Sequence, residues 1–210
     1  MGQTRDGKYS QPADRYSEQG SGAELARHLL DNFGLDNVDV EETTNGDHYD
    51  PTVKAVRLTP NNYSGHSLTA VTVAAHEVGH AIQDSRRETL FLARQKLVKT
   101  AMIGERIAGL MLIATPVVFM LTRVPQAGAI TIMIGIVSMA LSTLVHLLTL
   151  PVEFDASYGK ALPILRKGNY LHDGDLKHAE IILKAAALTY VAASLMSLLN
   201  LGRWIAVLRR

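Results

Sequence analysis

The chain has 210 residues, a net charge of +1 and no cysteine, and 47% of its residues are hydrophobic. That length allows one ordinary domain with a sizeable core. Near neutrality offers no basis for binding nucleic acid, and the lack of cysteine excludes a disulfide framework and a thiolate zinc site.

Two regimes hide in the average: residues 1–100 are mixed and polar, whereas 107–150 and 185–208 are almost free of charge. Residues 1–22 are rich in Gly, Ser, Gln and charge, with no apolar run of the kind a signal peptide needs, and read as a flexible polar tail. Leu25, Leu29 and Leu30 recur at helical spacing and Gly34 supplies a stop, which predicts a short helix over 23–32. Residues 38–42 and 53–59 predict strands. In the second, Val53, Ala55 and Val56 alternate imperfectly with Lys54 and Arg57 after an Asp50-Pro51 turn. Such a strand beside a metal-binding helix can accept a peptide as an added strand. A small sheet that merely supports the helix fits the pattern equally well.

Residues 71–84, VTVAAHEVGHAIQD, contain two histidines four residues apart with a glutamate directly after the first. Leu68, Val71, Ala75, Val78 and Ile82 have helical spacing, and Ser64 or Ser67 can cap the start. On a helix, His76 and His80 share one face and can grip one metal ion, with Glu77 over the same edge. A chance match on a buried helix would leave polar groups in an apolar setting at a cost of several kcal/mol, roughly, unless something paired them. Gly79 costs about 1 kcal/mol in a helix and is expected to spare room beside the metal. Two neutral histidines imply one Zn2+ per chain. A catalytic site then needs a third protein ligand and keeps its fourth position for water.

Residues 83–106 stay helix-compatible and set Arg86, Arg87, Arg94, Lys96, Lys99 and Arg106 beside Leu90, Phe91, Leu97, Val98 and Met102. This predicts a helix at a membrane surface, or else a solvated face on a soluble helix. Residues 107–122 and 127–150 are apolar runs separated by Arg123, Pro125 and Gln126, and about 20 apolar residues span a bilayer. They predict a transmembrane hairpin over 107–150, kinked at Pro116 and ended by Pro151. His146 in the second run can serve as a ligand or proton carrier, or simply bond a neighbouring helix. A third run, 181–208, predicts a C-terminal membrane helix over 185–210. Spans rich in Ala and Gly can pack within one chain or between chains.

PVEFDAS follows the hairpin at once, so Glu153 stands at the mouth of the membrane. Two crossings separate it from HEVGH, and an even count returns it to the side of the histidines as a candidate third ligand. Lys160, Arg166, Lys167, Lys177 and Lys184 follow the hairpin, against Arg123 alone in its connection, so the positive-inside rule turns the site to the cytoplasm. Arg203, Arg209 and Arg210 would then fall outside if the third run crosses fully. The chain thus divides into the tail, a metal-binding part over 23–106, the hairpin over 107–150, a cytoplasm-facing segment over 151–184 and the last helix over 185–210. Together these predict a mainly α, membrane-embedded helical bundle with a small β-hairpin or sheet beside the HEVGH helix.

Asp84, one turn beyond His80, is a candidate to orient its imidazole, or a solvent-facing acid near a helix end. Tyr190 and His178, and less so His172, are candidate donors to a tetrahedral oxyanion, although a tyrosine in an Ala-rich span commonly bonds another helix and HDGD over 172–175 reads as a turn.

AAHEVGHAIQ, the upstream DHYDP and VRLTP, LPVEFDAS and the late AAALTYVAA together resemble the YugP-type zinc-dependent membrane peptidases, or neutral zinc metallopeptidase family 2. The resemblance runs from about residue 21 to 201 on four motifs in order. It implies a zincin-like, gluzincin-type endopeptidase of the prokaryotic inner (plasma) membrane, its site cytoplasmic. His76, His80 and Glu153 match the zinc ligands and Glu77 the catalytic glutamate. Lipid bilayer and a membrane or membrane-proximal peptide or protein substrate are the implied partners. EFDAS is also similar to the EFxAD segment of HtpX-like membrane proteases. Ser157 replaces its final aspartate, whose supporting role passes to Asp155 as a candidate. Members of the resembled family usually begin with a membrane span, and here only the polar tail precedes residue 23.

Two rival readings remain. A site-2-type intramembrane protease would take its third ligand from Asp173-Gly174, but the apolar stretch at HEVGH, residues 68–82, is short for a span. A non-catalytic scaffold with structural zinc would close the metal with four protein ligands and would not require Glu77.

Overall fold

The computed structural model describes Tyr16 and residues 20–122, 126–172 and 174–208. The fold is mainly helical with one small sheet, and it divides into two compact units: Met1–Glu88 with Val152–Leu188, and Thr89–Pro151 with Thr189–Arg210.

The first unit opens with α1, Gly22–Asn32, started by a capping box between Ser21 and Glu24. It ends where Gly34 takes φ 67°, the left-handed turn expected of a glycine there. Three strands follow: β1 (Asp39–Glu42), β2 (His48–Asp50) and β3 (Ala55–Leu58). Their order is β1-β3-β2, with β1 parallel and β2 antiparallel to β3. The predicted strand over 53–59 therefore begins two residues late, because the Asp50 carboxylate takes the Thr52 N–H and the turn runs on to Lys54 at φ 59°. It is also the central strand, with no free edge. The short strand β2, which the sequence does not predict and which runs into the Asp50-Pro51 turn, is an edge.

A short helix α2 (Pro60–Tyr63) leads to α3 (Leu68–Ser85), capped by Ser67 through the Ala70 N–H. The core of this unit forms as α1, the sheet and a π-helical segment pack around α3, burying Val71, Ala74, Ala75 and Val78. Helicity does not continue from 83 to 106. Arg87 takes φ 53° and the Glu88 N–H turns back to the Gln83 carbonyl, which breaks the chain before α4 (Thr89–Thr122). From there the predicted surface helix and first apolar run form one continuous helix.

α5 (Gln126–Phe154) runs through Pro151 rather than ending at it and passes directly into the π-helical segment Asp155–Ala161 and α6 (Leu162–Lys167). The last helix, α7, is Asp175–Leu208. Two helical stretches among the described residues, Met133–Lys167 and Asp175–Leu199, are long and apolar enough to cross a membrane. Met133, Val137, Leu195 and Leu199 are exposed along them, a distribution suited to lipid contact. Within the second unit, Thr143 bonds Ser197 at 2.8 Å and Ser194 donates to the His146 carbonyl, so small hydroxyls tie α5 to α7. Within the first, Tyr16 is buried and donates to Asp175 at 2.7 Å, which fixes that point of the N-terminal stretch.

Candidate metal centre

His76 and His80 lie one turn apart on α3, their ring centres 4.8 Å apart at 79°. The last turn of α5 brings Glu153 to them, its Oε2 3.2 Å from His76 Nε2 and 3.4 Å from His80 Nε2. All three side chains are buried. Among the described residues, theirs is the one group of three or more His, Asp or Glu side chains able to share a metal ion.

These spacings fit zinc. Ligand atoms bonded at about 2.0–2.2 Å in a tetrahedron stand roughly 3.3–3.5 Å from one another. Charge-assisted hydrogen bonds between two imidazolium rings and the carboxylate would be shorter, about 2.7–2.9 Å. Both ε nitrogens lie near the same carboxylate oxygen, so the three atoms are close enough together to share one ion.

The opposite ring nitrogens are occupied. His80 Nδ1 lies 2.9 Å from Gln83 Oε1, and His76 Nδ1 lies 3.2 Å from Ser157 Oγ. Gln83 in turn donates through Nε2 to the Val152 carbonyl at 2.9 Å and to Asp155 Oδ2 at 2.7 Å. Lys160, buried, pairs with Asp155 and with Glu88. The π-helical segment creates this pairing: five residues apart on an α-helix, positions 155 and 160 would point about 140° apart, whereas a π turn closes after five. Gly79 admits the same segment. A methyl group there would stand 2.9 Å from the Ala156 carbonyl oxygen, so the space it spares belongs to a backbone rather than to the metal.

Glu77 is buried beside the histidines and accepts the backbone N–H of Tyr49 in β2. Burial pushes its carboxyl up from 4.5 to about 7, with Glu153 and Asp47 adding to the rise and His76 and the Tyr49 N–H opposing it. The DHYDP stretch builds this wall. Asp47 accepts from the Thr59 N–H, the Thr59 hydroxyl and Asn62, which anchors β2 to the start of α2.

Asp84 does not reach an imidazole. It accepts from the Tyr49 hydroxyl at 2.7 Å and from Lys54, because it points toward the strands while residue 83 faces the histidines. Asp155 supports His80 at one remove, through Gln83. His178 lies 3.7 Å from Asp175 in the first turn of α7, and the His172 ring sits edge-on to Tyr16 at 5.0 Å. Tyr190 belongs to the second unit, and Asp173 lies outside the described residues. Gln83 and Ser157, which hold the two rings, are not among the supports the sequence predicts, which are Asp84 and Asp155. Their one available signal was position: three residues after His80, and the place of the aspartate in EFxAD.

The family described as "Putative neutral zinc metallopeptidase" matches residues 3–209 of the chain. The chain is 36% identical over 189 residues to a Bacillus subtilis (strain 168) protein named "Putative membrane protease YugP", covering 89% of this chain and 80% of that one. No solved structure matches it.

Proposed function

Because the chain belongs to the neutral zinc metallopeptidase family, we propose that it is a membrane-bound zinc endopeptidase that hydrolyses peptide bonds with Glu77 as general base. The observation that carries this reading is the convergence of His76 Nε2 and His80 Nε2 on Glu153 Oε2 at the spacing of a zinc tetrahedron, with Glu77 alongside. Zinc held there would bring the pKa of a water near 7 and polarise the scissile carbonyl.

The chain's own residues do the rest. Glu77, buried beside the two histidines, is placed to take a proton as a carboxylate and return it to the departing amine. The Tyr49 N–H holds one side of that carboxylate and limits its rotation. β2, an edge strand next to Glu77, supplies backbone groups along which an extended peptide can lie as an added strand. The excess of Lys and Arg around the metal-binding part favours a site facing the cytoplasm, with the apolar run over 107–122 as a further span. Glu153 belongs to a helical stretch apolar enough to cross a membrane, which favours membrane or membrane-proximal substrates.

The test is zinc content and casein or peptide cleavage by the purified protein in detergent, beside Glu77→Gln and Glu153→Ala. Wild-type cleavage, a zinc-loaded but inactive Glu77→Gln, and zinc loss in Glu153→Ala are expected. Full zinc occupancy in Glu153→Ala would move the third ligand to Asp173, and zinc without cleavage in the wild type would leave a structural metal.

A further inference from the structure

The side-chain amide of Gln83 has only one orientation open to it. Its Nε2 faces the Val152 carbonyl at 2.9 Å and Asp155 Oδ2 at 2.7 Å, and both partners there accept hydrogen bonds. A flipped amide would set its oxygen against two acceptors and lose both bonds. Oε1 must therefore face His80, and an amide oxygen can only accept, so His80 Nδ1 carries the hydrogen. A neutral His80 then has a bare Nε2, the atom turned toward Glu153.

We propose that the Gln83 amide, aligned by Asp155 and by the Lys160 ammonium that pairs with Asp155, is a tautomer lock that keeps His80 Nε2 free for the metal. This rests on reading His76, His80 and Glu153 as metal ligands. Gln83, Asp155 and Lys160 are positioning residues, since each acts through His80. The π-helical segment is part of the device, because its winding returns Lys160 over Asp155. Lys160 also reaches Glu88 at 2.9 Å, where the chain leaves α3, so the lock is anchored at both ends of the Gln83 contact. Without it, an imidazole beside a buried carboxylate gains a hydrogen bond by placing its proton on Nε2, and zinc must then displace that proton.

The lock is tested in the metal-free, full-length protein in detergent by long-range 15N NMR of labelled histidines. The His80 signals are identified by their loss in His80→Asn. The wild type is expected to show His80 protonated at Nδ1, and Gln83→Leu to show an Nε2–H population. Zinc affinity, measured by competition with a chelating indicator, should fall about 10–100-fold in Gln83→Leu. In Lys160→Met, where the Val152 carbonyl still holds the amide, it should fall about 10-fold or less. Reduced thermal stability with unchanged tautomer and affinity in both variants would make the network structural support and overturn the proposal. A wild-type His80 protonated at Nε2 would overturn it too. If the wild type takes up no zinc, the peptidase reading fails, while the tautomer in the metal-free protein still decides the lock.

Discussion

The Ser157 hydroxyl lies 3.2 Å from His76 Nδ1, and both groups are buried. A neutral hydroxyl thus stands where the similar EFxAD segment carries an acid. Ser157→Ala should leave a buried ring nitrogen without a partner, at about 1–3 kcal/mol of stability. Zinc affinity should fall about 10-fold, toward the low end for such supports, because serine adds no charge to the ring. Thermal unfolding with and without chelator separates the two effects. An unchanged affinity would mean that packing alone orients His76.

Gly79 sets helix propensity against packing. Alanine would favour the helix by about 1 kcal/mol. Its methyl group would stand 2.9 Å from the Ala156 carbonyl oxygen and 3.4 Å from its Cα, both backbone atoms that cannot swing aside. Packing wins, so Gly79→Ala should destabilise by about 1–3 kcal/mol. It should also weaken zinc binding, since the displaced segment carries Ser157 and follows Glu153. A stable variant with normal zinc content would show that the segment tolerates the shift.

The three members of the candidate metal cluster are legible in the sequence because each belongs to a short local motif. His76 and His80 need only one helical turn, and Glu153 stands in LPVEFDAS, directly after the predicted hairpin. The supports are not legible, since they depend on an irregular winding. Nothing in DASYGKA signals a π turn, yet that turn joins Lys160 to Asp155. Asp84 shows the reverse failure: its spacing from His80 fits a support, but its rotation about α3 sends it to Tyr49 and Lys54. β2 is hidden for a third reason. The three residues His48–Asp50 are too few for a pattern of alternation, and pairing with β3 makes them a strand.

Because β3 is central, proline at Val56 should break the sheet instead of perturbing peptide binding selectively. The binding edge is better probed through Asp84, which holds Tyr49 by its hydroxyl while the Tyr49 N–H meets Glu77. Asp84→Ala should cost about 1–3 kcal/mol through loss of its bonds to Tyr49 and Lys54. It should raise KM for peptides several-fold and leave zinc content unchanged. Steady-state kinetics beside metal analysis check this, and an unchanged KM would remove β2 from substrate binding.

Glu77 links the site to stability through pH. In the metal-free protein its carboxyl lies near 7, against 4.5 in an unfolded chain, because burial disfavours the charged form. A raised acid binds more protons folded than unfolded, so its contribution falls as pH rises from 4.5, and the loss is complete above 7. A shift from 4.5 to about 7 corresponds to a penalty on the order of 3 kcal/mol. Glu77→Gln removes this titration. In chelator, the variant should gain stability relative to wild type as pH rises from 5 to 8, most steeply between 5 and 7. With zinc restored, the metal's positive charge favours the Glu77 anion, and the pH-dependent difference should shrink. Thermal unfolding of both proteins at several pH values, with chelator and with zinc, measures it. Parallel curves in chelator would mean that Glu77 is not held in a desolvated site.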